Sequence, residues 1–167
     1  DYREVFRRIE KLPTPVICAI NGYAFGGGLE IALACDIRVV AEETKVGLTE
    51  LSLGIIPGAG GTQRLPRLIG ASKAKELMFT AARLTGDEAV EWGVCNHAVP
   101  RDELLDVCYE MAERMKRSAP IAVAQAKRAI DAGLEVDLET GLEIESQCYA
   151  VTIPTEDRLE GLAAFRE

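Results

Sequence analysis

Apolar residues along the chain change their period repeatedly, and each change marks an element. In Tyr2–Lys11 the residues Val5, Phe6 and Ile9 fall on one side of a 3.6-residue turn, which predicts an amphipathic helix stopped by Pro13 and Pro15. Val16–Ile20 is a short β-branched apolar run, read as a buried strand, and Asn21-Gly22 turns the chain. The triplet Gly26-Gly27-Gly28 then opens a helix, Leu29-Glu30-Ile31-Ala32-Leu33-Ala34-Cys35, that is apolar on every face but for one residue and therefore reads as buried. Asp36–Ala41 predicts a second strand, and Lys45–Gly47 a little extended pairing. Leu48–Gly61, dominated by glycine and proline, predicts a loop.

Helical periods dominate the rest. Thr62–Ile69 and Ser72–Thr80 predict helices, the second with Ser72 as N-cap. Another starts at Thr85-Gly86-Asp87-Glu88 and ends at Gly93, and Val94–Val99 reads as a strand. Asp102–Arg117, Pro120–Ala132, Asp137–Tyr149 and Thr155–Phe165 complete the set, Leu138, Leu142, Ile144 and Tyr149 supplying the apolar positions of one of them. The pattern predicts an α/β region over residues 1–101 followed by a helical region over residues 102–167.

Composition narrows the class. With 48% hydrophobic and 28% charged residues, the chain is neither disordered nor a membrane bundle. The weakly charged stretch Leu12–Cys35 is no membrane span, because prolines, Asn21 and the glycine triplet interrupt it. A net charge of −8 disfavours a nucleic-acid surface, which needs clustered Lys and Arg. Five widely spaced cysteines, without Cys-x-x-Cys and with a single histidine, His97, read as small core residues of a reducing compartment rather than a zinc site, so no metal is expected. The chain opens Asp1-Tyr2-Arg3-Glu4, which is no secretory signal and reads as part of a longer protein.

The candidate chemistry shows where charge is missing. Residues 12–35 contain one charged residue, Glu30, and residues 46–63 one, Glu50, where the chain average of 28% predicts about seven and five. Burying a carboxylate costs several kcal/mol unless it is paired or protonated. Each glutamate alone is compatible with a distant salt bridge or a partly exposed helix start. Two of them, each beside a glycine cluster, suit general acid–base work, because desolvation moves a carboxyl pKa toward the working pH. Gly27 adds a backbone N–H at a helix start and lies three residues before Glu30, on the same face; tight packing or a turn is the alternative for a glycine cluster. No dinucleotide or P-loop pattern is present, so the oxygen served by these N–H groups reads as a carbonyl gaining charge rather than a phosphate.

The run Asn21-Gly-Tyr-Ala-Phe-Gly-Gly-Gly-Leu-Glu-Ile-Ala-Leu-Ala-Cys-Asp-Ile-Arg resembles the central motif of the enoyl-CoA hydratase (crotonase) family. Ile55-Ile-Pro-Gly-Ala-Gly-Gly-Thr-Gln-Arg-Leu-Pro-Arg and Pro154-Thr-Glu-Asp-Arg-Leu-Glu-Gly-Leu-Ala-Ala-Phe extend the match, and Ala34–Val39 and Glu135–Leu142 look most like methylglutaconyl-CoA hydratases and bacterial relatives. The resemblance implies a crotonase-like ββα superhelix lacking roughly its first 90 residues, followed by a C-terminal trimerisation region. It implies hydration of a short or branched 2-enoyl-CoA, with Glu30 activating water, Glu50 protonating the α-carbon and Gly27 forming one arm of an oxyanion hole. It further implies that Gly58 lies in a loop closing over the site and that Tyr149 packs on the CoA of a neighbouring subunit, plain core packing being the alternative for Tyr149. No cofactor is implied beyond the coenzyme A of the acyl-CoA substrate, and the expected assembly is a homo-trimer or hexamer in the bacterial cytoplasm or mitochondrial matrix. The absent segment would carry the second oxyanion N–H, so the fragment alone is expected to be inactive. Other reactions of the scaffold (isomerisation, decarboxylation, hydrolysis), RNA binding as in some methylglutaconyl-CoA hydratases, and a catalytically dead oligomerisation fragment stand as alternatives; retention of both glutamates favours hydration.

Overall fold

The computed structural model describes residues 1–164. They fall into two compact units, residues 1–12 with 16–110, and residues 13–15 with 111 onward.

The first unit begins with α1 (Tyr2–Glu10), capped by the Asp1 side chain, and buries Phe6. Strands β1 (Ile17–Ile20), β3 (Ile37–Ala41) and β6 (His97–Val99) form a parallel sheet in the order β1-β3-β6, with Ile17 opposite Ile37 and Val40 opposite Ala98. A second small sheet places β4 (Lys45–Gly47) between β2 (Ala24–Phe25), which it pairs in parallel, and β5 (Leu84–Thr85), which it pairs antiparallel. The helix α2 (Gly27–Leu33) joins β2 to β3, α3 (Gly61–Ile69) and α4 (Ala71–Phe79) follow, and α5 (Gly86–Glu91) precedes β6. Leu29 and Ala32 of α2 pack into one core with Val40, Val46, Leu48 and Leu77. That core holds the N-terminal end of α2 and the chain after β4 in fixed register, and both glutamates stand on these segments.

Departures from the pattern have local causes. The strands β2 and β5 are two residues each, too short to show a period. The predicted loop after Gly47 contains a 3₁₀ turn, Glu50–Leu53, ended by Gly54 in the left-handed region at φ 75°. Ser72 is not the N-cap of α4. Gly70, at φ 87°, ends α3 and starts α4 at once, a reversal open to glycine, and leaves Ser72 in the first turn. The helix α2 is not apolar-buried all round, since Ile31 faces solvent. Its C-terminal carbonyls are met by Arg38 of β3, a buried guanidinium that donates through Nη1 to Cys35 O (2.7 Å) and Ala32 O (3.3 Å) and through Nε to Val94 O (2.8 Å). Burial lowers the Arg38 pKa, and the three carbonyls provide for the charge inside.

Most of α6 (Leu104–Met115) belongs to the first unit; the second contains α7 (Pro120–Gly133), α8 (Leu138–Thr152) and α9 (Glu156–Ala164). The helix α7 starts with Pro120 in its first turn, as the sequence predicts, and Asp137 caps α8 by accepting from Thr140 N–H. The helices α7 and α8 pack on each other, with Gly133 and Gly141 allowing close backbone approach. Phe165, the predicted end of the last helix, lies outside the described residues. No helix among the described residues is long and apolar enough to cross a membrane.

Candidate active site

The site is built around the start of α2. Gly26 is its N-cap at φ 54°, a conformation that favours glycine, and its N–H donates to Gly47 O (3.0 Å), tying the helix start to the end of β4. A Cβ on Gly26 would stand 3.1 Å from Glu50 Oε1, so the Glu50 carboxylate lies against the bare backbone of Gly26. The neighbouring Gly27 is the first helical residue, ahead of the first intrahelical bond, and the space where its Cβ would be is open to at least 4 Å. Its N–H therefore stands at the positive end of the helix, and no side chain crowds the residue.

Glu30 is one turn further on and only 3% exposed. Its Oε1 accepts two backbone N–H bonds, from Ala59 at 2.7 Å and from Gly61 at 2.8 Å. Both donors come from the glycine-rich segment before α3. Gly61 has to be bare for this arrangement: a Cβ there would stand 2.8 Å from Pro57 Cβ, 2.9 Å from Leu48 Cδ1 and 3.1 Å from Glu30 Oε1 itself. One carboxylate oxygen of Glu30 is thus fixed by the main chain, which sets the direction of the other.

Glu50 opens the 3₁₀ turn and is 9% exposed. Its Oε2 is buried without a hydrogen-bond partner among the described residues. Burial raises its pKa from the ordinary value, a backbone hydrogen bond opposes the rise, and the charge of Glu30 adds to it. A buried, unpaired carboxyl oxygen next to a second carboxylate and a helix-start N–H is equipped to hold and move a proton.

The structure thus gathers Glu30, Glu50 and Gly27. Gly58 lies in the same segment, with Tyr2 Oη 3.8 Å from its Cβ position, while the N–H groups that reach Glu30 belong to Ala59 and Gly61. Neither of those two stands out in the sequence, because a main-chain donor carries no residue-type signal; the glycine cluster is the only hint. Tyr149 belongs to the second unit, on α8, and is 64% exposed. None of the five cysteines forms a disulfide, and burial pushes the Cys95 thiol up to about 11, so it is protonated at neutral pH. Among the described residues no cluster of His, Cys, Asp or Glu is placed to hold a metal ion.

A buried carboxylate pair, one member on α2 and the other on the 3₁₀ turn after β4, thus stands beside a bare helix start. The profile of the enoyl-CoA hydratase/isomerase family matches residues 1–167. Human methylglutaconyl-CoA hydratase, mitochondrial, is 55% identical over 169 residues, covering 99% of this chain and 50% of that protein. Human enoyl-CoA hydratase domain-containing protein 2, mitochondrial, is 53% identical over 169 residues, covering 99% and 58%. The crystal structure of an enoyl-CoA hydratase from Bacillus anthracis superposes with a TM-score of 0.97 at 54% identity, over 98% of this chain and 64% of that one. The chain belongs to the enoyl-CoA hydratase/isomerase family and has the crotonase fold. It spans one half to under two thirds of the length of these relatives.

Proposed function

We propose that the whole protein adds water across the C2=C3 double bond of a short or branched 2-enoyl-CoA thioester, giving the 3-hydroxyacyl-CoA. The observation that carries this reading is the unequal pair of glutamates: Glu30 held through one oxygen by two N–H groups, Glu50 buried with an unpartnered oxygen and a raised pKa. Two neighbouring carboxyl groups whose environments differ in this way divide the roles of base and acid between them. A water between them gives a proton to Glu30 as its oxygen bonds to C3, and Glu50 delivers its proton to C2. The thioester oxygen, which gains charge as the double bond is attacked, accepts from Gly27 N–H. The proton taken up by Glu30 returns through solvent to Glu50 before the next turnover.

On this reading coenzyme A enters as part of the substrate, and the relatives named as hydratases support the reaction class. Two glutamates around one water favour hydration over the reactions of the scaffold that need a single base. The exposed ring of Tyr149 and the apolar residues of α7 and α8 support a homo-trimer or hexamer in which Tyr149 meets the CoA of a neighbour.

The test is loss of the conjugated-enone absorbance with crotonyl-CoA and with 3-methylglutaconyl-CoA. Glu30→Gln and Glu50→Gln should each lower kcat by about 10²-fold or more with the fold intact. A wild type that hydrates neither thioester, or either variant retaining near-native rates, refutes the reading.

A further inference from the structure

We infer that Arg64 is a positioning residue for Glu30, braced by α1 through Glu10. Arg64 stands on α3, and its guanidinium makes three charge-assisted hydrogen bonds. Nε donates to Glu10 Oε1 at 2.8 Å and Nη2 to Glu10 Oε2 at 2.9 Å, a bidentate pair, and Nη1 donates to Ala59 O at 2.9 Å. The carbonyl and the N–H of Ala59 are thereby both engaged, one by Arg64 and the other by Glu30 Oε1. Gly60 lies between the two donors of Glu30, at φ 112°, and a Cβ there would overlap Arg64 Nη1. The guanidinium fills the place of the missing side chain and locks the turn that aims Ala59 N–H and Gly61 N–H at a single oxygen.

A second, independent contact ties α1 to the same place. Phe6 packs with Ala59 and with Ala34, at the C-terminal end of α2, in a small apolar cluster of its own. Glu10 and Phe6 are one helical turn apart on α1, so one face of that helix holds the 59–61 segment by a charged fork and by an aromatic ring. Hydrogen bonding to Glu10 raises the Arg64 pKa, and the charge of Glu30 adds to it, so the guanidinium also counts as the nearby cation that the Glu30 stretch itself lacks.

A carboxylate that acts as a base works only within a narrow geometry, and a shift of about 1 Å can cost on the order of 10²-fold in rate. Lysine replaces Arg64 only in part, because a single ammonium keeps the charge but does not span both Glu10 and Ala59 O with a fixed fork.

The inference rests on the hydration reading for its kinetic arm and has a second arm that does not. In the whole protein, Arg64→Met and Glu10→Gln should lower kcat for crotonyl-CoA by about 10- to 100-fold and about 3- to 10-fold, with KM changed by less than about threefold, and Arg64→Lys should fall between Arg64→Met and wild type. Backbone amide exchange at Ala59 and Gly61 should speed up in Arg64→Met by about 10-fold or more while exchange in β3 stays unchanged. A purely structural role would lower the melting temperature but leave kcat per folded enzyme and those two amides as in wild type, and that result overturns the inference. If Arg64→Met does not fold, the same readouts on Glu10→Gln and Arg64→Lys decide. If the wild type hydrates neither thioester, the hydration reading fails by itself; faster exchange at Ala59 and Gly61 then still upholds the brace, and unchanged exchange overturns it.

Discussion

Glu50 is placed where folding and chemistry want opposite things. Its raised pKa means that the native state holds the proton more tightly than the unfolded chain does. Between the unfolded and the raised native pKa the native state therefore binds more protons, so stability falls as pH rises through that window and stays lower above it. Gln has no charge to desolvate. Glu50→Gln should consequently melt at a higher temperature than wild type at pH 7, and the difference should vanish at a pH below the ordinary carboxylate pKa, where both side chains are neutral; differential scanning fluorimetry across pH checks the sign. The same carboxyl, in its protonated form, is the proposed acid, so the wild-type hydration rate should decline as pH rises through the raised pKa. A variant that gains stability while losing about 10²-fold in turnover is the usual pattern where a site stores unfavourable burial. Glu30 and Glu50 are legible in the sequence because a lone charge in a long apolar stretch is visible at one position. Arg64 is not, since its partner Glu10 lies 54 residues away and nothing local joins them.

At the scale of the element, the start of α2 shows three adjacent glycines with different duties. Gly26 is needed for its left-handed φ and for the space occupied by Glu50 Oε1. Gly27 has open space at its Cβ position, so its value lies in the N–H alone. Gly27→Ala should therefore leave fold and rate nearly unchanged, within about threefold. Gly27→Pro, which suits a first helical position but removes the donor, should cut kcat by about 10²-fold with a smaller effect on KM. Gly26→Ala and Gly61→Ala should each lower the melting temperature and the rate together, because each forces a carboxylate out of place. Steady-state kinetics beside thermal melts separates these behaviours, and an inactive Gly27→Ala that folds normally would count against the N–H assignment. The helix start itself can be read from the glycine triplet, and the crossover from β1 to β3 from the strand-helix-strand pattern. The 3₁₀ turn carrying Glu50 and the strands β2 and β5 cannot, because one turn or two paired residues leave no period to detect.

Across the whole chain, what stands out is how much apolar surface the second unit leaves uncovered. The helix α7 buries no residue fully and α8 only Cys148, although both are rich in large apolar side chains. Leu134 is 77% and Leu138 78% exposed at the turn between them, with Ile130, Val136 and Leu142 alongside. So many exposed large apolar side chains in one short stretch of chain point to an interaction surface rather than a solvated face. In the first unit, β1 pairs with β3 alone among the described residues, so one edge of that strand is also free to take a partner. A periodic apolar stripe is visible in sequence, but whether it faces the chain's own core or another subunit is decided only by packing. The assembly proposed above predicts that association and stability are linked, so that dilution lowers the melting temperature. Sedimentation velocity of the whole protein should show multiples of its own chain mass at micromolar concentration. Leu134→Asp with Leu138→Asp should shift that distribution toward the monomer and remove the concentration dependence, while circular dichroism stays that of the folded chain, because neither side chain contributes to a core. A wild-type chain that stays monomeric and melts at the same temperature over a hundredfold dilution would show that these helices are finished without a partner.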